Sequence, residues 1–208
     1  MRVIFGIGNP GNKYQDNRHN VGFMQIDYFA GKNSLVFYPS KGSYYFCEGK
    51  LADNEFLLVK PITYVNNSGI AALELSERYN LNLDDFLVIH DDINLDVSTI
   101  KVKVSGSDGG HNGLSSLIYN LASNKFPRLR IGIGKGFKKG DMAEYVLSDF
   151  SNNEFEILKK IFNTGNFLIE EFISGGIKRL LDANSKISKV IKIDSSLKEN
   201  TSIKQGCE

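Results

Sequence analysis

Three polar stretches of this sequence carry residue types that can perform acid–base chemistry. The first contains His19, the second places Asp91 just after the apolar run 86–89, and the third is a glycine-rich run that carries Asn112. Histidine is a base that titrates near neutral pH, a carboxylate can orient it, and amides can bind a polar substrate. Together these stretches predict a site that hydrolyses its substrate with water.

The elements that must position these residues are predicted to alternate between strands and helices. Predicted strands cover 2–8, 86–90, 99–104 and 129–133, with a hairpin of 44–46 and 56–60 joined at Asp53-Asn54; predicted helices cover 21–30, about 67–79, 113–121, 153–172 and 177–183. We therefore expect an α/β fold over residues 1–185. It is a single three-layer domain whose twisted, mixed but mostly parallel sheet has helices on both faces. Lys, Ser, Asn and Glu dominate residues 186–208, which predicts a weakly ordered tail.

Two of the predicted helices carry specific packing expectations. Asn20 is expected to cap the helix that begins at Val21, because asparagine is a preferred residue at that position. In the helix that ends near residue 79, the spacing predicts that Ile70, Leu73 and Leu75 face the core.

The composition of the chain is that of an ordinary globular protein. Its 208 residues are 41% hydrophobic and 24% charged, and a net charge of +1 points to no particular partner. The run from Lys125 to Gly140, however, contains basic residues and no acid. Such a run can contact phosphates, and a solvated surface balanced by Asp141 and Glu144 is the alternative.

Cysteine usage and the start of the chain favour a cytoplasmic protein. Cys47 and Cys207 form neither a metal-binding spacing nor a disulfide framework, which fits a reducing compartment. The apolar start is too short for a signal peptide, and no run approaches the ~18 apolar residues of a membrane span. We expect no membrane association.

Two cofactor-binding alternatives are weaker. Gly6 to Gly11 matches the letters of a dinucleotide-binding turn, but a polar stretch follows it and Pro10 has no N–H to offer a phosphate. The three histidines, His19, His90 and His111, could hold a metal together with acids, but the usual short spacings between metal-binding histidines are absent. We therefore expect no cofactor and no metal, with a metal site as the minor alternative.

Several of these motifs occur in an order and spacing that resemble the bacterial peptidyl-tRNA hydrolases. The matching stretches, between Met1 and about Ala183, are Gly8-Asn9-Pro10-Gly11, Tyr14, Arg18-His19-Asn20-Val21-Gly22, Lys60-Pro61, Asn66-Asn67-Ser68-Gly69, His90-Asp91, Gly109-Gly110-His111-Asn112-Gly113 and 128–134. The resemblance implies a monomeric, metal-independent esterase. Its substrate would be peptidyl-tRNA, and cutting the ester between the peptide C-terminus and the ribose would recycle tRNA from stalled translation.

The resemblance also implies a role for individual residues. It makes His19 the base that activates water, Asp91 the group that orients it, and Asn9 the residue that distinguishes N-acylated from free aminoacyl-tRNA. The base and its carboxylate would act as in the hydrolase triads without a serine, and no G-x-S-x-G nucleophile motif occurs. The residues implied to line the groove or to contact tRNA phosphates are Tyr14, Tyr64, Asn66, Asn112, Lys103, Arg130 and Arg128.

Two positions of the implied groove depart from the family pattern, and two other functions stay open. Val65 stands where methionine is common, and Tyr64 where phenylalanine is usual. A catalytically idle, RNA-binding relative with the same fold is the first alternative, and the intact pair of His19 and Asp91 argues against it. A hydrolase of small esters, which needs no basic surface, is the second.

Overall fold

The computed structural model describes the backbone of residues 1–204 and the side chains of residues 1–187. Within this part of the chain the strands are β1 (Arg2–Gly6), β2 (Tyr38–Pro39), β3 (Tyr44–Leu51), β4 (Asn54–Pro61), β5 (Phe86–Asp92), β6 (Ile100–Lys103) and β7 (Arg128–Gly132). The helices are α1 (Val21–Lys32), α2 (Ser68–Tyr79), α3 (Asn112–Asn120), α4 (Met142–Leu147) and α5 (Asn152–Lys204). Single 3-10 turns occupy Asn12–Tyr14, Arg18–Asn20, Val65–Asn67 and Leu83–Asp85.

The strands form one mixed sheet in the order β2-β3-β4-β1-β5-β7-β6. The four central strands, β4, β1, β5 and β7, run parallel, while β2, β3 and β6 complete the edges with antiparallel pairs. Continuous apolar runs such as Val3-Ile4-Phe5 are typical of parallel strands that are covered on both faces. The predicted mixed, mostly parallel sheet is confirmed.

Helices cover both faces of this sheet. Alternate residues of a strand point to opposite faces, so Ile4 and Ile89 pack in the core layer with α1 and α5. Phe5 and Val88 pack in the other layer, with α2 and α3. The predicted three-layer α/β arrangement is therefore confirmed, and it leaves the carboxyl ends of the parallel strands together at one edge.

The packing of α2 differs from the prediction. Leu75 is fully buried, but Ile70 and Leu73 are 42% and 36% exposed. The reason is a close approach to α3 along a row of small residues: a side-chain carbon placed on Gly69 would lie 2.1 Å from the backbone oxygen of Ser116. Because the two helices touch through glycine and alanine, the larger side chains turn outward.

The C-terminal part of the chain forms the long element α5. Its backbone is non-helical at Gly175 and at Gly176, where φ is 64°, so α5 consists of two helices, as the predicted segments 153–172 and 177–183 suggest. The predicted weak order of residues 186–208 stays a prediction. The structure describes the backbone of this segment only up to residue 204 and its side chains only up to residue 187. No helix in the described part of the chain combines the length and hydropathy needed to cross a bilayer.

Candidate active site

A groove of about 400 Å³ lies at the carboxyl ends of β1, β4 and β5. This is the edge at which parallel α/β sheets bind their ligands. Asn9 follows β1, Asn66 follows β4, and Asp91 lies at the end of β5. The lining residues include Asn9, His19, Val65, Asn66, Asp91, Lys103, His111, Asn112, Arg130, Met142 and Val146.

His19 and Asp91 meet at the floor of this groove. The distance between His19 Nδ1 and Asp91 Oδ1 is 2.8 Å, and only 3% of Asp91 is exposed. A carboxylate accepts, so Nδ1–H donates this bond and the other ring nitrogen, Nε2, is left as a base. Burial of the ring lowers the pKa of His19, but the charge and hydrogen bond of Asp91 outweigh burial and raise it above its ordinary value.

His111 is a second imidazole on the same carboxylate. Its Nε2 lies 2.8 Å from Asp91 Oδ1, while its Nδ1 accepts backbone N–H groups of Gly113 and Leu114 at 3.0 and 3.2 Å. Its side chain therefore caps α3, and accepting at Nδ1 places the proton on Nε2, which donates to Asp91. Sequence reasoning missed this role; the signal was a histidine two residues before the predicted helix 113–121, and directly before the observed α3.

Asp91 thus accepts two imidazole N–H bonds on one oxygen. Burial favours the neutral acid, but His111 and His19 reverse this and hold the pKa of Asp91 below its usual range. Asp91 is therefore a carboxylate at neutral pH. His90 lies outside this pair of bonds: its Nδ1 contacts the backbone oxygen of Asp91 at 2.6 Å, and burial lowers its pKa to about 3.

The same three side chains are the cluster most suited to a metal ion within residues 1–187. The donor atoms of His19, Asp91 and His111 lie within 4.8 Å of one another. In this arrangement, however, the imidazole nitrogens that face Asp91 carry protons and use them to bind it. A metal ion at this point would have to replace both of these hydrogen bonds.

The side chain of Asn9 is held in one orientation. Its Oδ1 accepts the backbone N–H of Val65 at 3.0 Å, so its Nδ2 amino group is the end that can donate into the groove. Asn20 fixes the backbone of Asn9 by accepting from its N–H at 2.8 Å and donating to its carbonyl at 2.9 Å. Asn20 occupies the predicted N-cap position of α1, but its side chain makes the two bonds to Asn9 and no capping hydrogen bond to the helix.

The remaining residues implied for the groove take two kinds of position. Asn66 and Asn112 line the groove and are exposed. Tyr14 and Tyr64 lie outside its lining and form an edge-to-face pair with ring centroids 6.3 Å apart. Tyr64 is 55% exposed, so this aromatic pair forms an outer rim.

The basic residues separate into exposed and buried groups. Lys103 on β6 and Arg130 on β7 line the groove, and Arg130 donates from Nε and Nη2 to Asp92 Oδ2 at 2.6 and 2.5 Å. Arg128 is 2% exposed and donates to the backbone oxygens of Ser107 and Gly106. The expected phosphate contact of Arg128 is therefore wrong, because its guanidinium holds the glycine-rich loop inside the protein.

The wall of the groove next to His19 is apolar and comes from α4. Sequence reasoning missed this helix because its six residues are too few to show a periodic pattern. Its groove-lining residues are Met142, Ala143, Val146 and Leu147.

Comparison with known proteins identifies relatives across most of the chain. The profile of a family described as peptidyl-tRNA hydrolase matches residues 3–192. A peptidyl-tRNA hydrolase of Lachnospira eligens is 40% identical over 178 residues, covering 86% of this chain and 96% of the relative. One from Thermotoga is 39% identical, covering 86% and 94%. The crystal structure of peptidyl-tRNA hydrolase from Acinetobacter baumannii has a TM-score of 0.84 at 28% identity, covering 90% of this chain and 94% of that one.

Proposed function

Because this chain belongs to the peptidyl-tRNA hydrolase family, we propose that its groove hydrolyses the ester of peptidyl-tRNA with His19 as the base. The activity is that of the family: the ester between a peptide and tRNA is cut and the tRNA is released. The assignment of roles to individual residues rests on the hydrogen bond between His19 Nδ1 and Asp91 Oδ1. That bond leaves Nε2 of His19 available at the groove.

The reaction needs a base because neutral water is a poor nucleophile. His19 Nε2 takes a proton from water as the water oxygen attacks the ester carbonyl carbon, and Asp91 stabilises the imidazolium that forms. When the tetrahedral intermediate collapses, the ester C–O bond breaks and the imidazolium returns its proton to the ribose oxygen. The products are a peptide carboxylic acid, which ionises in solution, and a tRNA with a free ribose hydroxyl.

The hydrogen bonds of His111 support a positioning role in this cycle. Its Nε2–H donates to Asp91 Oδ1, which also accepts from His19. Because His111 Nδ1 already accepts two backbone N–H groups, the ring keeps its proton on the side of Asp91. His111 thereby holds the carboxylate towards His19 without competing for the proton of water.

The fixed orientation of Asn9 gives a physical basis for selecting N-acylated substrates. With Oδ1 occupied by Val65 N–H, Asn9 offers a donor to the groove. A peptide carbonyl next to the ester can accept from that donor, and a developing oxyanion can do so as well. The α-ammonium of free aminoacyl-tRNA is itself a donor with a positive charge, so it finds no acceptor on Asn9.

The tRNA end of the substrate requires a surface for phosphates. Lys103 is an exposed basic side chain of the groove lining, and Arg130 is a partly exposed one that is paired with Asp92. Lys135, Lys138 and Lys139 are exposed in the loop that follows β7. We assign the acceptor end of the tRNA to Lys103 and Arg130, with Asn66, Asn112 and the rim of Tyr14 and Tyr64 beside it. Phosphate contacts of this kind do not read sequence, which suits an enzyme that accepts many tRNAs.

One assay tests the proposal directly. N-acetyl-aminoacyl-tRNA and free aminoacyl-tRNA are incubated separately with the enzyme and EDTA, and the acid released from each is measured against a blank without enzyme. We expect hydrolysis of the blocked substrate alone. Binding of tRNA without hydrolysis would favour the idle RNA-binding relative, and hydrolysis of small esters alone would favour the hydrolase of small esters.

We also propose that the enzyme acts as a monomer in the cytoplasm, where translation forms its substrate. Gel filtration tests the oligomeric state, and cell fractionation tests the location.

A further inference from the structure

Arg18, the residue before His19, is buried and ion-paired. It is 8% exposed, and its Nη1 and Nη2 donate to the two carboxylate oxygens of Glu154, on α5, at 2.7 and 3.0 Å. Burial alone would raise the pKa of Glu154, but the hydrogen bonds from Arg18 and Ser151 lower it to about 2, so the pair is charged at neutral pH. Two-point pairing of this kind fixes the plane of the guanidinium.

The same guanidinium holds one end of α4. Its Nε donates to Ser148 Oγ at 3.2 Å, and the backbone N–H of Arg18 donates to the backbone oxygen of Ser148 at 2.9 Å. The ring of Tyr145 packs on Arg18, with 4.6 Å from the guanidinium carbon to the ring centroid, and its hydroxyl donates to Ile133 O at 2.6 Å. None of the six side chains of α4, all of which the structure describes, is buried. The contacts of Arg18 with Tyr145 and Ser148 are therefore a main support of this helix, beside the packing of Tyr145 and Val146 on the core.

This helix is also the apolar wall of the groove beside His19. We propose that Arg18, fixed by Glu154, is a positioning residue that holds α4 at the distance from His19 at which the groove binds its substrate. This proposal rests on the proposed function. The bond between His19 and Asp91 does not pass through Glu154, so loosening α4 weakens substrate binding and leaves the base intact. The signature is a rise in KM at nearly constant kcat.

The test compares two Glu→Gln variants on the same helix. Glu154→Gln removes the charge that fixes Arg18, and Glu171→Gln removes the partner of Arg179, an exposed pair with hydrogen bonds of 2.9 and 2.8 Å that does not line the groove. With N-acetyl-aminoacyl-tRNA we expect Glu154→Gln to raise KM about tenfold and to change kcat by less than about threefold. The midpoint of its pH–rate profile stays that of the wild type. Glu171→Gln behaves as the wild type.

The salt dependence separates this effect from the removal of a phosphate-binding group. Because α4 presents apolar side chains to the groove, the increase in KM persists at every salt concentration, with the salt slope unchanged. An unchanged KM in Glu154→Gln, an equal rise in Glu171→Gln, or a fall in kcat with normal KM would overturn the proposal. If the wild type itself does not hydrolyse the substrate, the proposed function fails rather than this inference.

A second variant decides the matter if Glu154→Gln does not fold. Tyr145→Phe removes the hydroxyl bond to Ile133 O while keeping a ring on Arg18, and it leaves the pair of Arg18 and Glu154 in place. Circular dichroism establishes that each variant is folded at the assay temperature. A raised KM in Tyr145→Phe at nearly constant kcat supports α4 as a wall held in position, and a wild-type KM contradicts it.

Discussion

Replacing Asp91 by asparagine removes one charge from the floor of the groove and keeps its shape. The carbonyl oxygen of the new side chain can accept from His19 Nδ1 and from His111 Nε2, both of which lie 2.8 Å from Asp91 Oδ1. His111 can only donate at this position, because its Nδ1 is occupied by backbone N–H groups. The amide is therefore held with its oxygen, and not its nitrogen, towards the two rings.

The size of the effect follows from the charge that is removed. An opposite charge this close raises the pKa of a base by ~1–3 units, and each unit corresponds to about 1.4 kcal/mol. His19 gains positive charge in the transition state, so removing Asp91's charge costs a comparable free energy, a factor of about 10 to 10³ in rate. In Ser–His–Asp proteases the same exchange costs ~10⁴ because the imidazole takes the wrong tautomer. We expect about 10² here, because His111 preserves the tautomer of His19.

The assay is kcat/KM for N-acetyl-aminoacyl-tRNA between about pH 5 and 9, with spontaneous hydrolysis subtracted. Activity requires neutral His19, so it rises with pH through the pKa of the ring and then levels off. Asp91 raises that pKa in the wild type, and the midpoint of the rise must move to lower pH in Asp91→Asn. An unmoved midpoint would show that Asp91 is not the charge partner of His19. A fall of ~10⁴ or more would show that His111 does not hold the tautomer.

Three further substitutions test the other assignments. His19→Ala should lower turnover by ~10²–10⁴ with thermal stability and tRNA binding retained; turnover within about twofold of wild type would remove His19 as the base. Asn9→Ala should lower the ratio of activity on N-blocked over free aminoacyl-tRNA, and equal reductions on both would make Asn9 a general catalytic or structural residue instead. Lys103→Ala or Arg130→Ala should raise KM for full tRNA substrates and reduce the salt slope of binding by about one for each phosphate that is no longer neutralised, with little effect on a substrate that carries only the terminal adenosine. Salt slopes equal to that of the wild type in both variants would show that this surface does not bind the tRNA phosphates.

Much of the fold was predictable because burial on both faces leaves a strong local pattern. The apolar runs of β1 and β5 and the alternation of β6 located those strands. Periodicity could not foresee which side of α2 is buried, because the close approach at Gly69 depends on α3. In the same way α4 was missed, since a helix that buries no side chain leaves no periodic trace.

Within the site, residue types were predictable and their bonding was not. The pairing of His19 with Asp91 followed from their residue types and from the resemblance to the peptidyl-tRNA hydrolases. The orientation of His111 depends on the first backbone N–H groups of α3, and that of Asn9 on the N–H of Val65. Arg18 is a basic residue whose partner, Glu154, lies 136 positions further along the chain, so no local pattern predicted the pair.

The order of the parallel strands has a consequence for how activity is acquired during folding. β1 pairs with β4 and β5, and not with a neighbour in sequence, so residues 72 positions apart must meet before His19 contacts Asp91. Such non-local contacts form slowly in comparison with helices, which need neighbouring residues alone. On refolding from denaturant, the helical circular dichroism signal should therefore return before hydrolase activity does. During synthesis, His19 leaves the ribosome early. The groove, with α4 held by Arg18 and Glu154, can form only after most of the chain has been synthesised.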